Sequence, residues 1–321
     1  MNIHSCKNWM ALACLAFCAA ACVNDDLTSL PKTNMTLQFT TRTASDPNAV
    51  EGEGMQRLEV YVVNKASHEI IRQWSGTFAE TESKTVTFAD LTGGKAGAGT
   101  EYEVYAVANA PEGYDFRTDF NLGTDPSLSR TLSTSTAMVD FGTRGIPMTA
   151  VKSVVLQDKD VALTLKVVRA VAKARLNLTN HYGSDVTLSK LEFGRFFPSK
   201  TNLWGDGETV VMPASADWTY NTYSKDLNNL VLKTNESNLE VPLGYFFEST
   251  GLTDAYTFTL TSPTMQEKTF TWNMYAKSGL NAVKRNQLLN INVTILKPSE
   301  VKISYEVTDW DERTVDVPEF Q

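Results

Sequence analysis

Beyond Cys22 the 321-residue chain has no cysteine: Cys6, Cys14, Cys18 and Cys22 are its only four. From residue 23 onward, disulfides and cysteine metal sites are therefore excluded, and stability must come from packing. Histidine is nearly as scarce. His4 stands in the leader, while His68 and His181 stand alone in turn-rich stretches. Isolated histidines and no cysteine nucleophile give a Ser-His-Asp or Cys-His arrangement no support, and no H-E-x-x-H zinc motif occurs. Basic charge is in deficit, with 29 Lys and Arg against 37 Asp and Glu. Nucleic acid, which needs a clustered basic face, is a poor partner for such a chain. No apolar run reaches the roughly 20 residues of a membrane-spanning helix, and helical periodicity is scarce.

The chain's beginning accounts for its cysteines. Residues 9–21 form a short apolar run behind a single Lys7 and no acid, the length of a signal-peptide core followed by small residues. Ala19-Ala20-Ala21-Cys22 resembles a bacterial lipobox. That resemblance implies cleavage before Cys22 and acylation of its thiol, palmitate included, so residues 1–21 leave as a lipoprotein signal peptide. Ordinary cleavage after Ala21, without a lipid, is the alternative. Loss of Lys7 takes the formal net charge from −8 to −9. A lipidated cysteine carries more than one acyl chain, enough for stable anchoring. Asn24, Asp25 and Asp26 read either as an acidic export tag or as part of a solvated linker, residues 22–33.

The body reads as short strands. Met35, Leu37 and Phe39 alternate with Thr36, Gln38 and Thr40, so the apolar residues share one face. The same style recurs at 57–63, 85–88, 102–108, 161–168, 174–178, 256–260, 289–295 and 301–307. Val, Tyr, Phe and Thr dominate these runs, and Gly, Asn, Asp and Pro separate them. The pattern is that of an all-β chain built of sandwiches. Asp125-Pro126 is the one candidate helix start. Length suggests two domains, divided near Leu165 to Arg169: 34–166 and 167–321. Residues 117–145, polar and rich in Ser and Thr, read as a long crossing loop.

Few residues suggest chemistry. Gly93-Gly94-Lys95-Ala96-Gly97-Ala98-Gly99-Thr100 has the wrong order for a phosphate loop and precedes a strand where such a loop opens a helix, so it reads as a flexible hairpin loop. Trp74, Trp204, Trp218, Trp272 and Trp310 have the chemistry to stack on sugars, but singly placed tryptophans in strands more often pack a core or an edge. The expectation is a protein that is not an enzyme and has no cofactor or metal.

Five stretches, in order, resemble the fimbrillin family, the structural subunits of type V pili. They are Leu58 to Asn64 (LEVYVVN), Tyr102 to Asn109 (YEVYAVAN), Val168 to Lys173 (VRAVAK), Val283 to Asn286 (VKRN) and Val307 to Trp310 (VTDW). The resemblance implies two transthyretin-like β-sandwich domains in tandem, exported as a surface lipoprotein of the outer membrane. It further implies that an arginine- or lysine-specific protease removes the first strand, and that a strand from the next subunit fills the groove by donor-strand exchange. On this sequence the plug strand is Met35, Leu37 and Phe39, and the processing site is Arg42, which otherwise reads as an exposed loop residue. The donor strand is Arg313 to Phe320 with Val315 and Val317, which otherwise reads as an edge strand. Partners are then other pilus subunits, the protease, the membrane through the lipid, and host surface proteins or glycans. Two readings stand beside the stalk subunit: an uncleaved, lipidated anchor subunit, and a surface glycan-binding lipoprotein.

Overall fold

The computed structural model describes residues 30–41, 53–93, 99–114, 130–136, 138–250, 257–265, 269–273, 282–296 and 301–309. Cys22, Arg42, Asp125-Pro126, Trp310, Val315 and Val317 lie outside the described residues. Within them the chain is all β, with two three-residue 3-10 turns, Gly142–Arg144 and Ser215–Asp217.

Nine strands come first: β1 (Lys32–Thr40), β2 (Met55–Asn64), β3 (Ile70–Thr81), β4 (Ser83–Thr92), β5 (Thr100–Ala108), β6 (Thr131–Ser133), β7 (Met148–Leu156), β8 (Val161–Lys166) and β9 (Val168–Arg169). Eight of them form a three-stranded sheet, β4-β1-β8, and a five-stranded sheet, β3-β2-β5-β7-β9, while β6 pairs outside both with residues 200–202. Alternation explains the packing. Met35, Leu37 and Phe39 of β1 meet Leu58, Val60 and Val62 of β2 and Val104 and Ala106 of β5 in one buried core. The loop from Gly93 joins β4 in one sheet to β5 in the other. It is a crossover and not a hairpin, because each strand turns its apolar face to the core from opposite sides.

Eleven strands follow: β10 (Ala172–Asn180), β11 (Val186–Pro198), β12 (Lys200–Asn202), β13 (Tyr220–Leu232), β14 (Leu239–Phe246), β15 (Ser249–Thr250), β16 (Thr257–Thr261), β17 (Thr269–Asn273), β18 (Ala282–Val283), β19 (Gln287–Ile295) and β20 (Val301–Asp309). The sheets β14-β10-β19-β20 and β13-β11-β16-β17 enclose a second core. Its centre is aromatic: Phe193 meets Phe197 and Phe258 edge to face, each at 5.3 Å. Such contacts add to the area buried. The first core takes in Val171 and the second begins at Ala172.

Candidate assembly groove

β1 is the centre of its sheet. It pairs antiparallel with β4, Leu37 opposite Val86 and Phe39 opposite Lys84. It pairs parallel with β8, Leu37 opposite Leu163 and Phe39 opposite Leu165. Met35, Leu37 and Phe39 are wholly buried, and Thr33 and Thr41 are buried at its ends. A large apolar side chain gains about 1.5–3 kcal/mol on burial, so these three hold β1 in place by several kcal/mol. Without β1, β4 and β8 would stand two strand spacings apart, about 9.5 Å. Between them would lie an apolar floor and two rows of unpaired peptide groups.

Both ends of β1 are clipped. At its start, the Asn34 backbone N–H donates to Asp160 Oδ1 at 2.7 Å, and Asn34 Nδ2 donates to Oδ2 at 3.0 Å. The backbone bond first, then the side-chain bond, hold the exposed Asp160 carboxyl below the usual carboxylate range. At its end, Thr41 N–H donates to the Glu82 carbonyl and Val167 N–H to the Thr40 carbonyl, each at 2.9 Å. Arg42 is the next residue, so the expected processing point follows the strand directly in sequence.

The motif residues prove to be architectural. Asn64 Oδ1 accepts N–H bonds from Ala66 and Ser67 and closes the turn after β2. Asn109 is fully buried; its Oδ1 accepts from Gln56 and Arg57, and its Nδ2 donates to Gly54 and Ile146 carbonyls. Its φ of 51° is one that asparagine tolerates better than most residues. Arg169 and Asn286, from two separate motifs, meet at 3.0 Å.

Sequence reasoning missed the junction between the sandwiches. Arg285, 1% exposed, donates from Nε to Glu248 Oε1 at 3.0 Å and from Nη2 to the same oxygen. It also donates to the carbonyls of Leu203 at 2.9 Å and Asn202 at 2.7 Å. The loop so held sets Trp204 edge-on against Tyr105 of β5, with ring centroids 5.6 Å apart. On the other side, Glu53 Oε1 accepts from Lys173 at 2.7 Å and from the Tyr245 hydroxyl at 2.9 Å. The pairing of "RN" in sequence with an acid 37 residues earlier is a purely spatial fact, so no sequence signal could have found it.

The remaining candidates have ordinary roles. His68 and His181 are exposed turn residues. Trp204 is buried, Trp74 packs against the first core, and Trp218 stacks edge-on to Tyr220. Among the described residues no group of three His, Cys, Asp or Glu is placed to hold a metal, and no helix is long and apolar enough to cross a membrane.

Solved structures share this architecture. A putative cell adhesion protein from Parabacteroides distasonis aligns over 87% of this chain and 97% of its own, with a TM-score of 0.59 and 14% identity. The C-terminally truncated tip fimbrial protein Mfa3 from Porphyromonas gingivalis aligns over 87% of this chain and 100% of its own, with a TM-score of 0.59 and 15% identity. The chain has the fold of fimbrial proteins. A P. gingivalis fimbrilin, fimA, also aligns over 87% of this chain and 98% of its own, with a TM-score of 0.55 at 12% identity. No family model and no curated protein sequence matches the chain. The fimbrial fold is thus carried by a buried alternation that tolerates wide sequence change.

Proposed function

We propose that this chain is a structural subunit of a surface fimbrium, exported as a lipoprotein through Cys22 and assembled by strand exchange. The observation that carries the proposal is β1: a central strand whose core-facing Met35, Leu37 and Phe39 are wholly buried, and after which the clipped Thr41 precedes Arg42. An arginine- or lysine-specific protease cuts after Arg42. β1 is then held without a covalent link, and a neighbour's strand containing Val315 and Val317 takes its place. Main-chain bonds to β4 and β8 supply affinity, and the pockets of Met35, Leu37 and Phe39 supply register. While attached, β1 occupies the groove at high effective concentration, and an external strand loses. The assembling unit comprises the two sandwiches, tethered to the outer membrane at the cell surface until cleavage.

The test is an Arg42→Ala variant expressed in the native host. The expected product is a folded, lipidated monomer that does not polymerise. Polymers of normal length that still carry residues 22–42 would reject this function and favour the anchor or glycan-binding reading.

A further inference from the structure

The two sandwiches follow one strand plan. In order, β1, β2, β3, β4, β5, β7 and β8 correspond to β10, β11, β13, β14, β16, β17 and β19. In both, the first strand is central, antiparallel to the fourth and parallel to the last of the seven. Among the described residues one position is filled in the second sandwich alone. β20 lies antiparallel along β19, setting Val301, Ile303, Tyr305 and Val307 against the second core. Among the described residues β8 pairs with β1 only.

Burial differs between the two strands accordingly. Leu289, Ile291, Val293 and Ile295 of β19 are at most 1% exposed, whereas on β8 Leu165 is buried but Val161 and Leu163 are only partly so. Val167 N–H points to β1. Peptide groups alternate along a strand, so Ala162, Thr164 and Lys166 direct theirs to the open side. A cavity of about 500 Å³ borders it, lined by Thr164 and Lys166 of β8, by Val151 and Lys152 of β7, by Glu103 of β5 and, from the loop opposite, by Trp204 and Asp206. β7 pairs with β9 at Met148 and Thr149, and beyond them Val151 and Val155 are 44% and 50% exposed. Among the described residues no strand pairs with this edge, and an unpaired edge is a template for strand addition.

We propose that this cleft is a second strand-acceptance site, distinct from the β1 groove and open before any cleavage. Its occupant is an extended segment of a neighbouring subunit, running antiparallel to β8 as β20 runs along β19. β20 shows the chemistry that fits: aliphatic or aromatic residues at alternate positions, with polar residues between them. The site adds a lateral contact to the end-on contact made through the groove.

The test uses the full-length uncleaved chain and a synthetic peptide of residues 301–309, VKISYEVTD, as the probe, with amide hydrogen exchange as the readout. At saturation the Ala162, Thr164 and Lys166 amides should slow at least about tenfold while the β4 amides stay unchanged. Thr164→Pro removes one outward N–H and should weaken binding about tenfold or more; Thr164→Val should leave binding intact. The exchange result on the unaltered chain stands even if the proline variant folds poorly. Unchanged exchange at the three amides would overturn the proposal, as would full-strength binding to a folded Thr164→Pro variant. Protection on β4 together with release of β1 would overturn the second site while supporting the groove, so the two readings fail separately.

Discussion

At the scale of single residues, Phe39, Asp160, Arg285 and Tyr305 each make a claim that can be measured. Phe39→Ala should cost about 3–5 kcal/mol of stability in the uncleaved chain, and Phe39→Asp more, because it sets a charge in an apolar groove; denaturant melts will show it. Arg285→Leu strands the buried Glu248 carboxylate and should cost about 3–5 kcal/mol in the same assay. Tyr305 is the reverse case. Its buried hydroxyl has no hydrogen-bond partner among the described residues, and burial pushes its pKa up. Tyr305→Phe should therefore be neutral or stabilising by about 1 kcal/mol. The Asp160 carboxyl titrates lower in the folded chain than in the unfolded one. Its contribution is complete above the ordinary value of 3.8 and is lost as pH falls below it through the folded value. Exchange at the Asn34 amide should accelerate in that acid window relative to the rest of β1, and Asp160→Asn should remove the pH dependence. The motif residues were visible in the sequence, but their partners were not. Arg169 meeting Asn286 across 117 positions depends on the whole fold, and no local pattern encodes it.

At the scale of elements, alternation was a reliable guide to strands and to their faces. Met35, Leu37 and Phe39 face the core as the period of two required. What alternation does not carry is the identity of a strand's neighbours. It could not reveal that β1 lies between β4 and β8, or that its bond to β8 is parallel. The glycine-rich crossover was misread for the same reason: flexible residues mark a bend but not which sheet the chain enters next. The central position makes a sharper prediction about donors. A chain lacking residues 314–321 should be cleaved normally yet remain monomeric. Mixed with intact cleaved subunits, it should cap growing polymers, and electron microscopy should show their mean length falling as its share rises.

At the scale of the molecule, the two sandwiches are joined by side chains buried on both sides of their junction. Arg285 and Glu248 hold the loop that carries Trp204 to Tyr105, and Glu53 reaches Lys173 and Tyr245 from the residues that precede β2. On the proposed function, a polymer of such units draws its strength from the junction within a subunit as well as from the strand between subunits. On the same reading, the strand between subunits enters only on one event, the departure of β1. Terminal sequencing and intact mass of polymers sheared from native cells measure that event directly. The account predicts subunits that begin at Thr43 and lack Met35, Leu37 and Phe39. Polymerised subunits that begin at a lipidated Cys22 and keep β1 would contradict it.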